Sequence, residues 1–250
     1  MVYRETAIES GTQLQLNHGK VNAMDIEFCD QLINRLKEIE QIPEISAIVL
    51  TGNPRVFSAG IDLKRWLAEG PDYVEPFIRK LESLFETVFC FPKPIISAIQ
   101  GHAIAGGCML ATACDYRIIS TTAKIGILES RLGVPLPCTA IEIVRNGATP
   151  TAFRKIISVG ATYTGQQAVT AGLADVAAES DVMAATVTQA LQEFTAIARP
   201  AFEITKRQAR EPVMRIVQQN KKELLDRYLE IWKSSETRDA IASYVQQRLN

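Results

Sequence analysis

Leu14 and Leu16 alternate with Gln13, Gln15 and Asn17, the period-two pattern of a strand with one buried face. With the turn residues Glu9-Ser10-Gly11-Thr12 before them, residues 2–20 are expected to form two short strands. The period then lengthens. Ile26, Cys29, Leu32, Ile33, Leu36 and Ile39 recur three or four positions apart, the stripe of an amphipathic helix, with Asn22 or Asp25 as its cap and Pro43 as its stop. Ile45–Thr51 is an apolar run suited to a buried strand, and Gly52-Asn53-Pro54-Arg55 is a turn. Val56–Leu63 leads into a helix through Trp66, and Gly70-Pro71-Asp72 breaks the chain. Val74–Val88 carries Phe77, Leu81, Leu84, Phe85 and Val88 on one side of a further helix, and Phe91–Pro94 is a rigid connector.

The stretch Ile95–Tyr116 is the centre of the pattern. A short Ile-rich run is punctuated by Gly101 and His102, and small residues then pass through Gly106-Gly107 into an apolar, helix-favouring segment. That order predicts a buried strand, a tight turn and a buried helix with two glycines in its first turn. Tyr116–Ile119 reads as another strand, Ala123–Leu128 is apolar up to Glu129, and 132–137 is a loop. Strand and helix in alternation favour an α/β architecture with crossover connections. Beyond it the chain turns helical, over 139–147, 150–160, 165–171, 181–197, 200–210, 213–231 and 236–248, with one late strand at 173–177. The tail carries an apolar face, Leu224, Leu225, Tyr228, Leu229 and Trp232, that must pack on its own core or on another subunit.

Composition narrows the function. A hydrophobic fraction of 47%, a charged fraction of 22% and a net charge of -1 are those of an ordinary globular protein and disfavour nucleic acid as the partner. Cys29, Cys90, Cys108, Cys114 and Cys138 are odd in number, and no two share a two-residue spacing. With only His18 and His102 beside them, buried free thiols in a reducing compartment are expected, and no metal site. Ile95–Ala113 is long and apolar, but Gln100, His102 and the glycines make it a buried strand–helix pair rather than a membrane span. The first residues lack a charged-then-apolar leader, so the expected location is cytoplasmic, without membrane attachment.

Two segments carry the candidate chemistry. Phe57-Ser58-Ala59-Gly60-Ile61-Asp62 and Ala105-Gly106-Gly107 each place small residues at a strand-to-helix junction. They are either tight turns that need glycine, or two sets of backbone N–H groups converging on one point as an oxyanion hole. Lys20-Val21-Asn22-Ala23-Met24, Phe57–Leu63, Lys93–Gly101, Ala105–Cys108, Cys114–Arg117 and Glu129 with Leu132-Gly133 occur in order over about 20–135. Together they resemble the enoyl-CoA hydratase/isomerase family, the crotonase fold.

The resemblance implies a spiral of ββα units over 1–196 and a helical oligomerisation region over 197–250, giving a homotrimer or a dimer of trimers. It implies an acyl-CoA substrate of lipid metabolism and no cofactor beyond the coenzyme A that belongs to the substrate. The oxyanion donors would be the N–H groups of Ile61 and Gly106, the latter reinforced by its helix dipole. Ala59, Gly60, Ile61, Asp62 and Leu63 would meet the adenine, and Lys20 and Ala23 would flank the CoA.

The acids choose within the family. Its hydratases resemble one another in carrying two glutamates, and here the first position is Met109 and the second Glu129. A methionine cannot activate water. A single glutamate at the second position resembles the Δ3,Δ2-enoyl-CoA isomerases, where one carboxylate moves a proton from C2 to C4. Met109 and Leu136 would then form an apolar wall that excludes water, and Glu129 would have a raised pKa. The bland account of Glu129 is a solvated acid, or one paired with Arg131. The alternatives are another crotonase reaction (hydration, thioester hydrolysis, decarboxylation) or an acyl-CoA-binding subunit without turnover. His102 is expected in a turn or the core rather than against ligand, Asp115 in backbone bonding, Asp62 as a helix cap and Cys138 in packing. Lys206, Arg207 and Arg210 are expected on a solvated face or a subunit contact.

Overall fold

The computed structural model describes residues 1–248 and is a spiral of strand–strand–helix turns. The first turn is β1 (Tyr3–Ile8), β2 (Gly11–Leu16) and α1 (Ile26–Glu40). The second is β3 (Ala47–Thr51), β4 (Val56–Ser58), α2 (Leu63–Glu69) and α3 (Pro71–Phe89), and the third β5 (Ile95–Ile99), β6 (His102–Ile104) and α4 (Gly106–Ala113). The fourth is β7 (Tyr116–Ser120) and β8 (Lys124–Gly126) with α5 (Glu129–Leu132), α6 (Cys138–Gly147) and α7 (Pro150–Val159). The chain ends with β9 (Thr162–Thr164), α8 (Gly165–Thr170), β10 (Val176–Ala178), α9 (Met183–Thr195), α10 (Arg199–Lys233) and α11 (Ser235–Arg248).

The strands sort into two sheets. One is ordered β1-β2-β3-β5-β7-β10, the other β4-β6-β8-β9. From the second turn on, the first strand of each turn joins the larger sheet and the second strand the smaller. Successive turns therefore stack in parallel, β3 on β5 on β7 and β4 on β6 on β8. Stacking this close explains Gly101: a Cβ there would lie 2.0 Å from the Arg55 carbonyl carbon. All five residues of β3 and of β5 are buried, because helices cover both faces of the larger sheet. Ile48, Leu50, Ile95 and Ile99 face the main core with α1 and α3. Val49, Ile96 and Ala98 face Met183, Ala190 and Leu191 of α9. Lys93 is fully buried, and its Nζ donates to the carbonyls of Ile39 and Ile42 at 2.7 and 2.6 Å, closing the end of α1.

Two expectations need correcting. The helices expected over 200–210 and 213–231 are one, α10, with Pro212 inside it. Proline removes a single helical hydrogen bond, here to the Gln208 carbonyl, and both residues are exposed, so water replaces the lost donor. Lys206 and Arg210 are not on a solvated face, although Arg207 is exposed. Lys206 Nζ lies 2.7 Å from Asp115 Oδ2 and an Arg210 NH group 2.8 Å from Asp115 Oδ1. Asp115 Oδ2 also accepts from the Ile95 N–H at 2.8 Å, so this acid ties the start of α10 to β5. Burial pushes the Lys206 ammonium down to about 8, while the Asp115 charge opposes that shift. The rest of the tail folds back on its own chain, α10 against α3 and α6 and α11 against α2 and α5. No helix among the described residues is long and apolar enough to cross a membrane.

Candidate active site

The β4–α2 loop and the β6–α4 junction lie side by side. Gly60 has φ +86°, and a Cβ there would sit 2.7 Å from the Gly106 nitrogen. Only glycine lets the two segments approach this closely. The loop is pinned from below. Asn22 Nδ2 donates to the Phe57 carbonyl at 3.0 Å, and Ser58 Oγ donates to the Asn22 carbonyl at 2.7 Å. The Ala59 N–H donates to Val21, the Gly60 N–H to Ser58 Oγ and the Asp62 N–H to Met24.

The Ile61 N–H, between these, has no acceptor among the described residues. Across from it, Ala105 takes φ +56°, a strained conformation for a residue with a side chain, and launches α4. As the first residue of α4, Gly106 cannot use its N–H inside the helix. Two free N–H groups thus stand on adjoining segments, one of them at the positive end of an eight-residue helix. Two fixed backbone donors so placed can stabilise negative charge on one oxygen.

A cavity of about 800 Å³ opens in front of them. Exposed Lys20, Lys64 and His102 and half-buried His18 give part of its wall cationic or polar character. The buried part is apolar, with Val134 and Trp232. Glu129 lies in that part, only 4% exposed, as the first residue of α5. Its Oε2 accepts from the Leu128 N–H at 2.9 Å. Desolvation pushes its carboxyl up to about 7, and the backbone bonds only partly counter that. Arg131 is turned away and donates from Nε to the Val159 carbonyl at 2.9 Å, so Glu129 is neither solvated nor paired with it.

Lys20, Ala23, Ala59, Ile61, Asp62, Leu63 and Glu129 all line the cavity, and Gly60 and Gly106 stand directly behind it. Asp62 Oδ1 caps α2 by accepting from the Arg65 N–H, and His102 Nδ1 accepts from the Lys124 N–H. The apolar wall is placed differently from the expectation. Met109 is 2% exposed in the core, one turn into α4, and Leu136 lines a separate cavity. Leu128, Leu132, Val134 and Trp232 take their place. Trp232 and Tyr244 come from the tail, a hundred residues beyond Glu129; the apolar face ending at Trp232 signalled the first, and nothing local signalled the second. Among the described residues, no three His, Cys, Asp or Glu side chains are grouped to hold a metal.

The chain is 26% identical over 196 residues to enoyl-CoA delta isomerase 1, mitochondrial, of Homo sapiens, covering 77% of this chain and 65% of that protein's length. It is 34% identical over 179 residues to 2,3-dehydroadipyl-CoA hydratase of Escherichia coli K12, covering 71% and 68%. The crystal structure of human mitochondrial delta3-delta2-enoyl-CoA isomerase superposes with a TM-score of 0.93 at 22% identity, over 99% of this chain and 98% of that one, a likeness of fold. The profile described as enoyl-CoA hydratase/isomerase matches residues 8–249, and the chain belongs to that family.

Proposed function

We propose that the enzyme shifts the double bond of an acyl-CoA thioester from Δ3 to Δ2. The thioester oxygen accepts from the Ile61 and Gly106 N–H groups. As a proton leaves C2, negative charge moves onto that oxygen, and two fixed donors stabilise it more than they stabilise the neutral carbonyl. The Glu129 carboxylate takes the proton from C2 and returns it at C4 of the dienolate, so no proton is gained or lost overall. The basic lining, Lys20 with Lys64 and His18, suits the phosphates of coenzyme A.

The observation that carries this reading is a single working acid. Glu129 and Asp62 are the carboxyl groups among the described lining residues, and Asp62 is engaged as a helix cap. A base that must also return its proton works best with a pKa near the working pH, which suits a carboxyl raised to about 7. Hydration is the rival reading, favoured by the hydratase relative at 34% identity. Conjugated-thioester absorbance separates the two. Gain with a 3-enoyl-CoA and no loss with a 2-enoyl-CoA supports isomerisation; loss with the 2-enoyl-CoA supports hydration; silence in both sinks both. A homotrimer or a dimer of trimers completes the proposal, and light scattering tests it.

A further inference from the structure

The cavity that holds Glu129 has two kinds of wall. Lys20, Lys64 and His18 line one part, and Leu128, Leu132, Val134 and Trp232 line another together with the acid. With coenzyme A on the basic part, an acyl chain is left with the apolar one. Where that part ends fixes how long the chain can be.

It ends close to Glu129. The Val134 N–H donates to the Glu129 carbonyl at 3.2 Å, and the next residue, Pro135, accepts from the Trp232 indole N–H at 3.1 Å. Two hydrogen bonds and one residue step thus tie the acid to the indole, which keeps the Glu129 carbonyl oxygen and the indole nitrogen within about 14 Å of each other. Trp232 is 1% exposed and still lines the cavity, so it closes the space without standing in it. Trp66 of α2 meets it edge-on with ring centroids 5.8 Å apart, and Tyr228, one helical turn earlier, lies 5.9 Å away. Turning the indole would break its bond to Pro135 and unpack two other rings, so it does not yield to a longer chain as a flexible methionine would.

The space beyond is separate. A second cavity of about 230 Å³, between α3, α6 and α10, shares no lining residue with the first. Pro135 and Tyr228, which hold the indole, line that second cavity, and the indole lines the first. Trp232 therefore stands on the boundary.

We propose that Trp232 is the floor of the acyl pocket and restricts the enzyme to short acyl chains, which end within a few carbons of the reacting double bond. The proposal rests on the acyl-CoA reading of this cavity. Each methylene that fits against the apolar wall should raise kcat/KM about fourfold. A chain that meets the indole gains nothing more and forces an overpacked fit, which lowers kcat/KM about tenfold.

The test runs 3-enoyl-CoA esters of rising length, from 3-butenoyl to 3-dodecenoyl, on the full chain. kcat/KM should climb to a maximum at 3-hexenoyl- or 3-octenoyl-CoA and stand about tenfold lower for 3-dodecenoyl-CoA. Trp232→Leu, which keeps an apolar but smaller wall, should move the maximum to longer chains. Trp232→Phe, which keeps an aromatic ring against Trp66 and Tyr228, should move it less in the same direction, and a melting curve reports the folding of each variant. A wild-type kcat/KM that still rises at 3-dodecenoyl-CoA, or a maximum that stays in place in the two variants, overturns the proposal. So does a loss that is equal at every length, the mark of a purely structural role. If no 3-enoyl ester is turned over, the isomerase reading fails, and the series is read instead as binding of saturated acyl-CoA esters by calorimetry. There Kd should tighten about fourfold per methylene up to a break, and Trp232→Leu should move that break to longer chains. An unmoved break overturns the floor alone; no binding at any length overturns the acyl-CoA reading and the floor with it.

Discussion

Replacing Glu129 by Gln should stabilise the fold while removing the activity, and the gain should depend on pH in a defined way. The folded protein holds this carboxyl at about 7, against an ordinary value of 4.5. Between those values the folded state binds more protons than the unfolded state, so stability falls as pH rises through that window. Below 4.5 both states are protonated and Glu129 costs nothing; above 7 the cost is complete. At roughly 1.4 kcal/mol for each pH unit, the full cost is about 3 kcal/mol. Glutamine has the same shape and does not titrate, and its amide oxygen can still accept from the Leu128 N–H. Urea unfolding at pH 8 should therefore place the variant about 3 kcal/mol above wild type, or about 6–12 °C higher in Tm for a chain of this size. At pH 5 the gap should shrink to under about 1 kcal/mol. A pH-independent difference, or a glutamine variant less stable than wild type at pH 8, would refute the claim that desolvation sets this acid. Retained isomerase activity would end its role as base.

The remaining predictions use other readouts. With a 3-enoyl-CoA substrate, kcat/KM should rise with pH through about 7, because the base must be ionised in the free enzyme; a profile flat from pH 5 to 8 contradicts the assignment. Gly60→Ala should cost on the order of 10²–10³ in kcat, since a Cβ at φ +86° strikes Ala105 and the Gly106 nitrogen at 2.7 Å and spreads the two donors. The check is kcat at saturating substrate beside a melting curve. Lys206→Met should lower stability by about 3 kcal/mol by stripping buried Asp115 of one of its two cations, measured by urea unfolding, with the shortfall smaller if Arg210 compensates. Trp232→Ala should let water reach Glu129 and move the kinetic pKa from about 7 toward 4.5, with Glu129 itself untouched; an unmoved pH profile would show that the tail does not dry the site.

The spiral was legible because its parts are local. The period-two run at Leu14–Leu16, the stripe of α1 and the buried run of β5 each depend on neighbours a few residues away. The close approach of the two glycine junctions was legible for a related reason: glycine between a strand and a helix marks close backbone approach, and the structure puts Gly60 against Gly106. What stayed hidden depends on pairing over long separations. Lys206 meets Asp115 across 91 positions, and a basic stretch at helical spacing looks the same whether it is solvated or neutralised by a buried acid. Pro212 misled for the opposite reason. A helix breaker is read locally, yet an exposed proline in a helix held along its length by α3 and α6 removes one bond and no more. Met109 was expected in the cavity wall, but its side chain belongs to the core.

The tail and the chemistry are linked through water. A carboxylate that both removes and returns a proton needs no second acid, but it needs a pKa near neutrality, and no charged neighbour raises that of Glu129. Burial alone does, and Trp232 and Tyr244 on the last two helices line the cavity that holds it. Those helices are held by a buried ion cluster at one end, where Asp115 grips Lys206 and Arg210, and by α11 packed on α2 and α5 at the other. A substitution at Lys206 thus acts on the same quantity as one at Trp232, from the far end of α10: each loosens the cover that keeps the acid dry. The cost that Glu129 imposes on the fold and the proton affinity that would suit it to the proposed reaction are one free energy, read once as stability and once as pKa.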